Sequence, residues 1–113
     1  MPKGVHLGEF EQLVILALLR LGDNGYGMTV RRELEETAKR PVTLGSVYGT
    51  LDRLEAKGLV TSWHTDPDPI RGGRPRRYFR VEPAGERALV RSRAMMRRMW
   101  DGIDLGTLGE AAL

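Results

Sequence analysis

Two short strand patterns in the second half of the chain are separated by a long segment rich in arginine, proline and glycine. Residues 59–65 and 77–82 are rich in Val, Thr, Trp, Tyr and Phe, as is typical of strands. The segment between them, DPDPIRGGRPR, is far too long for a tight hairpin turn. A chain of 113 residues has room for one domain. We therefore expect one domain that contains a two-stranded hairpin with a long cationic loop.

Two helical patterns open the chain. Residues 9–21 carry apolar side chains on nearly every side, so this helix must be covered on more than one side. The turn-forming sequence GDNG follows it. A second helix is indicated by Tyr26, Val30 and Leu34, and we expect it to end near residues 39–40, before a proline.

A third helix is predicted between Thr43, a suitable N-cap, and Gly58, a suitable residue just beyond the C-terminal end. Its apolar stripe consists of Leu44, Val47, Tyr48, Leu51 and Leu54. At about 100° per residue, the opposite face is small, polar and basic. This outward face consists of Ser46, Gly49, Thr50, Arg53 and Lys57.

The last predicted helix begins at Pro83, which suits a first turn. Its apolar arc is wide, and five arginines (87, 91, 93, 97 and 98) lie outside that arc. Such a stripe needs a partner surface, and an isologous two-fold dimer is the commonest solution. The expected dimer interface is Leu13, Leu89, Ser92, Met95, Met96, Met99, Trp100 and Ile103. The alternative is that this helix folds back onto its own domain.

The net charge of +3 conceals an asymmetry. Residues 39–100 carry 14 Lys and Arg against 6 Asp and Glu, whereas the rest of the chain carries 4 against 9. Residues 70–80 alone contain five arginines and no acid. Such a distribution favours a polyanionic partner, although a solvated surface is the alternative.

Other features limit the cellular setting and the chemistry. The chain has no Cys, which fits a reducing cytoplasm, and no apolar run that approaches a membrane span. The N-terminal sequence MPKGVHLGEFEQ shows no secretory pattern, so we expect a cytoplasmic protein without a membrane partner. GDNGYG lacks the Gly-Lys-Ser/Thr ending of a phosphate loop. His6 and His64 stand alone, so we predict neither an enzyme nor a metal or cofactor site.

The order helix, helix, helix, strand, basic loop, strand, helix predicts a mainly α (α+β) fold, a winged helix-turn-helix with a two-stranded wing and a C-terminal dimerisation helix. We assign residues 8–82 to a DNA-binding domain, 83–101 to the dimerisation helix and 102–113 to a flexible tail. The third helix is then the recognition helix, and the loop is the wing.

The predicted DNA contacts are Thr43, Ser46, Tyr48, Thr50, Arg53, Lys57, Arg71, Arg74, Arg76 and Arg77. Arg53 is a candidate for guanine recognition, with pairing to Glu55 or to phosphate as the alternative. For Tyr48, packing in the core is the alternative. The arginines of the wing would bind phosphates or enter the minor groove.

Three stretches carry a resemblance to a known family: Tyr26-Gly27, LGSVYGTLDRLEAKGLV at 44–60 and GGRPRRYFRVEPAGERAL at 72–89. They closely resemble the PadR-like transcriptional regulators, over about residues 9–100. Gly49 stands where many members have proline. The resemblance, closest to the smaller subfamily with a single C-terminal helix, implies a homodimer joined through that helix, usually a repressor and often responsive to small ligands.

The expected function is therefore a sequence-specific regulator, a repressor that acts as a homodimer on a pseudo-palindromic operator. A small apolar effector could bind among the Met and Trp side chains of the last helix, with an ordinary dimer core as the alternative. The alternative function is a winged-helix module that binds protein or RNA.

Overall fold

The computed structural model describes residues 6–65, 76–104 and 106. Within this part of the chain there are four α-helices and one antiparallel two-stranded sheet. The helices are α1 (Glu9–Leu21), α2 (Gly27–Thr37), α3 (Leu44–Ala56) and α4 (Pro83–Trp100), and the strands are β1 (Val60–His64) and β2 (Arg77–Val81). A short 3-10 turn, Gly22–Asn24, follows α1. The predicted order of elements and the mainly α fold class are confirmed.

The loop between the strands and the predicted tail are described only at their edges. Residues 66–75, which include Arg71 and Arg74, lie outside the described residues, and so do residue 105 and residues 107–113 of the tail.

Helix α2 is shorter than the sequence indicates. Tyr26 lies at its N-cap instead of inside it, and the helix ends at Thr37 instead of near residues 39–40. Lys39 adopts a left-handed backbone with φ of 55°, and the Arg40 amide donates to the Leu34 carbonyl at 3.2 Å. This closure satisfies helix-end carbonyls before the chain reaches Pro41, whose ring disfavours a helical residue in front of it.

The ends of α3 agree with the sequence. The Thr43 hydroxyl oxygen accepts a hydrogen bond from the Ser46 amide at 3.1 Å, which satisfies one free amide of the first turn. Gly58 has a φ of 75° directly after the helix, and the Leu59 amide then donates to the Leu54 carbonyl at 2.9 Å. The chain can thus turn from α3 straight into β1.

Helix α1 lies at the centre of the fold and contacts α2, α3, α4 and β2. The core it shares with them is built mainly from aliphatic side chains and one aromatic ring. The core consists of Leu7, Val14, Ile15, Ala17, Leu18, Val30, Leu34, Val47, Leu51, Leu54, Leu59, Val60, Phe79 and Ala88. Two further side chains of α1, Leu16 and Leu19, stay exposed, so one side of this helix is uncovered.

Strand β2 is held on both of its edges. On one edge it pairs with β1 in a register that places Ser62 opposite Phe79. On the other edge the Phe79 amide donates to the Gly25 carbonyl at 2.8 Å, and Tyr78 forms an isolated bridge with Tyr26. The wing is therefore joined by backbone hydrogen bonds to the segment that leads into α2.

The start of α4 packs tightly against the hairpin. A Cβ atom on Gly85 would lie 2.3 Å from the Leu59 carbonyl oxygen, so only glycine permits this approach. Ala88 and Ser92 are also buried one and two turns later. Beyond them the helix carries large exposed apolar side chains, which makes its second half different from its first.

Candidate nucleic-acid interface

The outward face of α3 is smaller than the helical periodicity indicates. Ser46 and Arg53 are exposed, and Gly49 is half-buried. Thr50 is only 1% exposed, so the prediction that it projects outward is wrong. Thr50 lies about 40° from Leu54 around the helix axis, and the surface that covers Leu54 covers Thr50 as well.

The guanidinium of Arg53 lies along its own helix. Its Nη2 donates to the Thr50 hydroxyl at 3.0 Å, and within the described residues Arg53 forms no ion pair with Glu55. Its side chain remains on the exposed face beside Gly49, where an added Cβ would come no closer than 3.8 Å to it. Arg53 is thus available to a ligand that approaches α3 from outside.

Tyr48 packs mainly inward, as the alternative reading of its position indicates. It is half-buried against the core, and a Cβ on Gly27 would lie 2.4 Å from its Cζ atom. Glycine as the first residue of α2 therefore leaves room for the Tyr48 ring in its observed position. This contact explains the Tyr26-Gly27 pair physically, which the sequence alone does not do.

Lys57 is engaged within the protein. Its Nζ donates to Glu11 Oε2 at 2.7 Å, and the same carboxylate accepts the Gly8 amide at 3.0 Å, at the start of α1. Burial raises the pKa of Glu11, but the hydrogen bonds from Lys57 and Gly8 and the charges of Lys57 and Arg53 outweigh it, so the pKa lies below its usual value. Lys57 therefore joins α3 to α1.

Among the described residues of the wing, Arg77 contacts the most side-chain partners. Its Nη1 lies 2.9 Å from Asp52 Oδ1, its Nη2 lies 2.6 Å from Glu55 Oε1, and its Nε donates to the Ser62 hydroxyl at 3.2 Å. The Ser62 hydroxyl in turn donates to Glu55. That hydrogen bond, together with Arg77, holds the pKa of the Glu55 carboxyl below its usual value.

Arg76 is exposed and lies beside aromatic rings. Its guanidinium carbon is 4.2 Å from the centre of the Tyr26 ring, and its Nη1 donates to the Tyr78 hydroxyl at 3.4 Å. Tyr78 also packs edge-on against Tyr26 and is stacked on Trp63 with ring centres 5.9 Å apart. These contacts fix the base of the wing beside the N-terminus of α2 and leave the charge of Arg76 accessible.

The predicted dimer residues divide into two groups. Ser92 is buried against its own domain, and Leu13 and Leu89 are half-buried. The exposed members are Met95, Met96, Met99, Trp100 and Ile103. A groove between α1 and α4 is lined in part by Leu16, Val90, Met96 and Trp100. Exposed Leu16 and Val90 are not among the predicted dimer residues, because tertiary packing decides which sides of α1 and α4 are covered.

Two further observations concern the part of the chain that the structure describes. There, no three His, Cys, Asp or Glu side chains are grouped so that they could hold a metal ion. In the same residues, no helix is both long enough and apolar enough to span a bilayer.

Comparison with known proteins identifies transcriptional regulators as relatives of this chain. The chain is similar to the transcriptional regulator Rv3488 of Mycobacterium tuberculosis, with 38% identity over 74 residues. The match covers 66% of this chain and 64% of the length of that relative.

Solved structures with a similar fold also exist. A PadR family transcriptional regulator of Eggerthella lenta is 30% identical, with a TM-score of 0.66 and coverage of 90% of this chain and 87% of that one. A PadR family transcription regulator of Clostridium difficile is 24% identical, with a TM-score of 0.68 and coverage of 81% and 91%. The latter likeness concerns the fold. These neighbours confirm the predicted winged-helix architecture.

The model of the transcriptional regulator PadR-like family matches residues 15–91. This range spans most of the chain and includes α2, α3 and both strands. The family is one of transcriptional regulators and not of enzymes, so the family resemblance and the expectation that the chain is no enzyme are confirmed. The chain belongs to the PadR-like family of transcriptional regulators.

Proposed function

We propose that this regulator is a homodimeric, sequence-specific DNA-binding repressor that occupies a pseudo-palindromic promoter operator. The single observation that carries the proposal is the exposed polar face of α3, with Ser46 and Arg53, beside a wing rich in arginine. We divide the chain as the sequence suggests, with residues 8–82 as the DNA-binding part and 83–101 as the dimerisation helix. A promoter-binding role fits a cytoplasmic location.

Helix α3 would lie in the major groove, which is wide enough to admit a helix. Arg53 would donate two hydrogen bonds to a guanine, a contact that discriminates against other bases by about 1–3 kcal/mol. Thr43 and Ser46, whose hydroxyl groups lie 2.8 Å apart at the helix start, would contact the DNA backbone. Thr50 is left out of this set because it is buried.

The wing would bind beside the recognition helix. Arg76 is exposed at its base, and Arg71 and Arg74 belong to the loop sequence that precedes it. These three arginines would neutralise phosphates or enter a narrow minor groove. Such contacts contribute affinity that does not depend on base sequence.

Dimerisation would cover the second half of α4. Met95, Met96, Met99 and Trp100 are all more than 40% exposed, and the uncovered side of α1 continues the same apolar surface through Leu16. A two-fold dimer buries the same patch on both subunits. Its two recognition helices would then reach half-sites about 34 Å apart, or a multiple of that distance.

Repression would follow from steric occlusion of the promoter. A small apolar effector bound among the Met and Trp side chains would release the repressor by favouring a dimer geometry that does not fit the half-site spacing. This requires that the effector bind the two geometries with different affinities.

Footprinting on the chain's own promoter region tests the central proposal. We expect two protected half-sites and an affinity that falls steeply with salt, because arginine–phosphate contacts release counterions. If the protein ignores duplex DNA at low salt, the proposal is wrong and a module that binds protein or RNA becomes the better interpretation.

Two variants make this test more specific. Arg74→Ala should weaken binding to all duplexes alike and reduce the salt dependence, whereas Arg53→Ala should also relax base preference. An unchanged base preference in Arg53→Ala would argue against direct readout by this residue.

Light scattering at micromolar concentration tests the dimer. We expect about twice the chain mass of 12.7 kDa, and we expect Met99→Lys, at a side chain that is 73% exposed, to give a folded monomer. A monomeric wild-type protein would contradict the dimer proposal.

A further inference from the structure

Three elements of the DNA-binding part meet at one guanidinium group. Asp52 and Glu55 lie one turn apart on α3, Ser62 lies on β1, and Arg77 is the first residue of β2. The contacts of Arg77 with these three side chains measure between 2.6 and 3.2 Å. The guanidinium also lies 4.7 Å from the centre of the buried Phe79 ring. We call these four polar residues the Arg77 cluster.

The charge of the Arg77 cluster is unusual for a surface that faces DNA. One arginine is matched by two carboxylates, so the cluster is negative by one charge. Asp52 is exposed and directly precedes Arg53, the candidate for base contact. Carboxylates next to DNA phosphates weaken binding by repulsion. Asp52 and Glu55 on the recognition helix should therefore have a structural role within the protein that offsets this repulsion.

The position of Arg77 supplies such a role. Arg77 directly follows Arg76 at the point where the wing loop rejoins the sheet. Its side chain is only 26% exposed, and three of its N–H groups are directed at partners on α3 and β1. A planar guanidinium holds several acceptors at fixed angles, which an ammonium group cannot do. Arg77 can therefore fix the angle between the wing and the recognition helix.

The neighbouring arginine is held differently. Arg76 is exposed, and within the described residues its guanidinium contacts the tyrosine side chains of Tyr26 and Tyr78 and no carboxylate. Two adjacent arginines of one motif thus have different surroundings, one with a free charge and one with a compensated charge. This difference separates a contact residue from a positioning residue.

We propose that Arg77 is a positioning residue, which with Asp52 and Glu55 sets the wing at the angle to the recognition helix that an operator requires, and that it does not itself bind phosphate. The inference rests on the proposed DNA-binding function. It replaces the expectation that Arg77 contacts DNA directly. Asp52 and Glu55 would then raise operator affinity by holding Arg77, although their negative charge alone would weaken DNA binding.

The decisive variant is Asp52→Asn combined with Glu55→Gln. Removal of two negative charges from the DNA face should tighten binding to every duplex if charge alone matters. Loss of the positioning contacts should instead weaken operator binding about tenfold, while binding to a random duplex is unchanged or tighter. We would measure both dissociation constants at several salt concentrations. Tighter operator binding would overturn the inference.

A matched control removes the same charge elsewhere. Glu36→Gln combined with Glu86→Gln neutralises two exposed carboxylates that lie outside the Arg77 cluster and form no ion pair among the described residues. We expect this control to leave the ratio of operator to random affinity unchanged. A fall in the ratio equal to that of the cluster variant would mean that charge, and not position, explains the effect.

Arg77→Lys separates positioning from phosphate binding by a second route. Lysine keeps the charge and can bind phosphate, but it cannot bridge Asp52, Glu55 and Ser62 in the same geometry. We expect Arg77→Lys and Arg77→Met each to lose operator affinity about tenfold. Wild-type affinity in Arg77→Lys would show a simple cationic contact and contradict the inference.

Hydrogen exchange of the free protein gives a readout that does not need DNA. We expect faster exchange at the Phe79 and Thr65 amides in Arg77→Lys, with unchanged exchange in the middle of α1 as the sign of an intact fold. Wild-type exchange rates at these two amides would contradict the inference even if operator binding is weakened. A wild-type protein that binds no duplex would overturn the proposed function and, with it, the role of Arg77 at an operator.

Discussion

The arginines at the base of the wing and those of the last helix occupy very different surroundings. Arg77 is held by Asp52, Glu55 and Ser62, and Arg76 lies over Tyr26. The arginines of α4 (87, 91, 93, 97 and 98) are all exposed, and in the described part of the chain none pairs with a carboxylate. Equal local charge in the sequence therefore corresponds to structural contacts in one region and to solvated surface in the other.

The apolar residues of the two regions differ in the same way. Phe79, in the wing, is 1% exposed and completes the core of its own chain. Met99, near the end of α4, is 73% exposed and has no comparable cover. The strand that carries Phe79 thus packs its apolar side chain within its own chain. The end of α4 instead presents an apolar surface that a second copy would bury. This contrast is the physical basis of the proposed dimer.

Phe79→Ala should give the largest effect on folding. Truncation of a fully buried aromatic ring costs about 3–5 kcal/mol in the free energy of unfolding, because it removes apolar burial and leaves a cavity. Urea denaturation at low protein concentration measures this loss. Met99→Ala is the control, with a change below about 0.5 kcal/mol in the same experiment. Equal losses for the two variants would contradict the contrast between the regions.

Gly85→Ala tests how tightly the start of α4 is joined to the hairpin. The added methyl group would collide with the Leu59 carbonyl, so we expect a loss of about 1–3 kcal/mol in stability. Gly49→Ala is the matched control, because nothing lies closer than 3.8 Å to the added atom. In the middle of α3 it should stabilise by about 0.5–1 kcal/mol. Thermal melts should show a lower melting temperature for Gly85→Ala and a higher one for Gly49→Ala.

Acid should weaken the Arg77 cluster, because protonation of Glu55 removes the charge that Arg77 contacts. Because the pKa of Glu55 is lower in the folded state than in the unfolded chain, its contribution is fully present above the unfolded pKa of about 4.5. The contribution is lost as the pH falls through the lower folded value. For this partly exposed pair we expect a change below about 1 kcal/mol.

Melting curves of wild type and Glu55→Gln between pH 3 and pH 7 measure this change. The two proteins should differ at pH 7 and converge towards pH 3. A difference that persists unchanged at pH 3 would show that titration of Glu55 is not its source.

Arg93→Ala should give the smallest effect. The side chain is exposed on α4 and pairs with no carboxylate among the described residues, so the change in unfolding free energy should stay within about 0.5 kcal/mol. Denaturation in urea provides the measurement. A loss above 1 kcal/mol would mean that the arginines of α4 form contacts comparable to those of Arg77.

Several elements could be predicted because their signals are local. Thr43 caps a helix that begins one residue later, Gly58 supplies a left-handed turn after it, and Pro83 occupies a first helical turn. Each of these signals acts over four residues or fewer. The order of elements and the family resemblance follow from the same local patterns.

The errors arose where a side chain lies at the edge of a face or reaches a distant element. Thr50 was expected outside, but it lies close enough to Leu54 to be covered with it. The ion pair of Lys57 with Glu11, 46 positions earlier, likewise depends on the whole fold, whereas a DNA contact by Lys57 stays a prediction. The end of α2 was misplaced because Lys39, a residue other than glycine, adopts the left-handed conformation.

The sequence by itself determined the winged-helix order, the caps of α3 and the basic character of the wing, because periodicity and turn chemistry are encoded in neighbouring residues. Only the tertiary structure decided which arginines keep a free charge. Arg77 meets Asp52 and Glu55 across 25 and 22 positions of chain, and no local pattern specifies that meeting. A long flexible cation takes the partners that packing brings within hydrogen-bond distance, and packing depends on the whole fold.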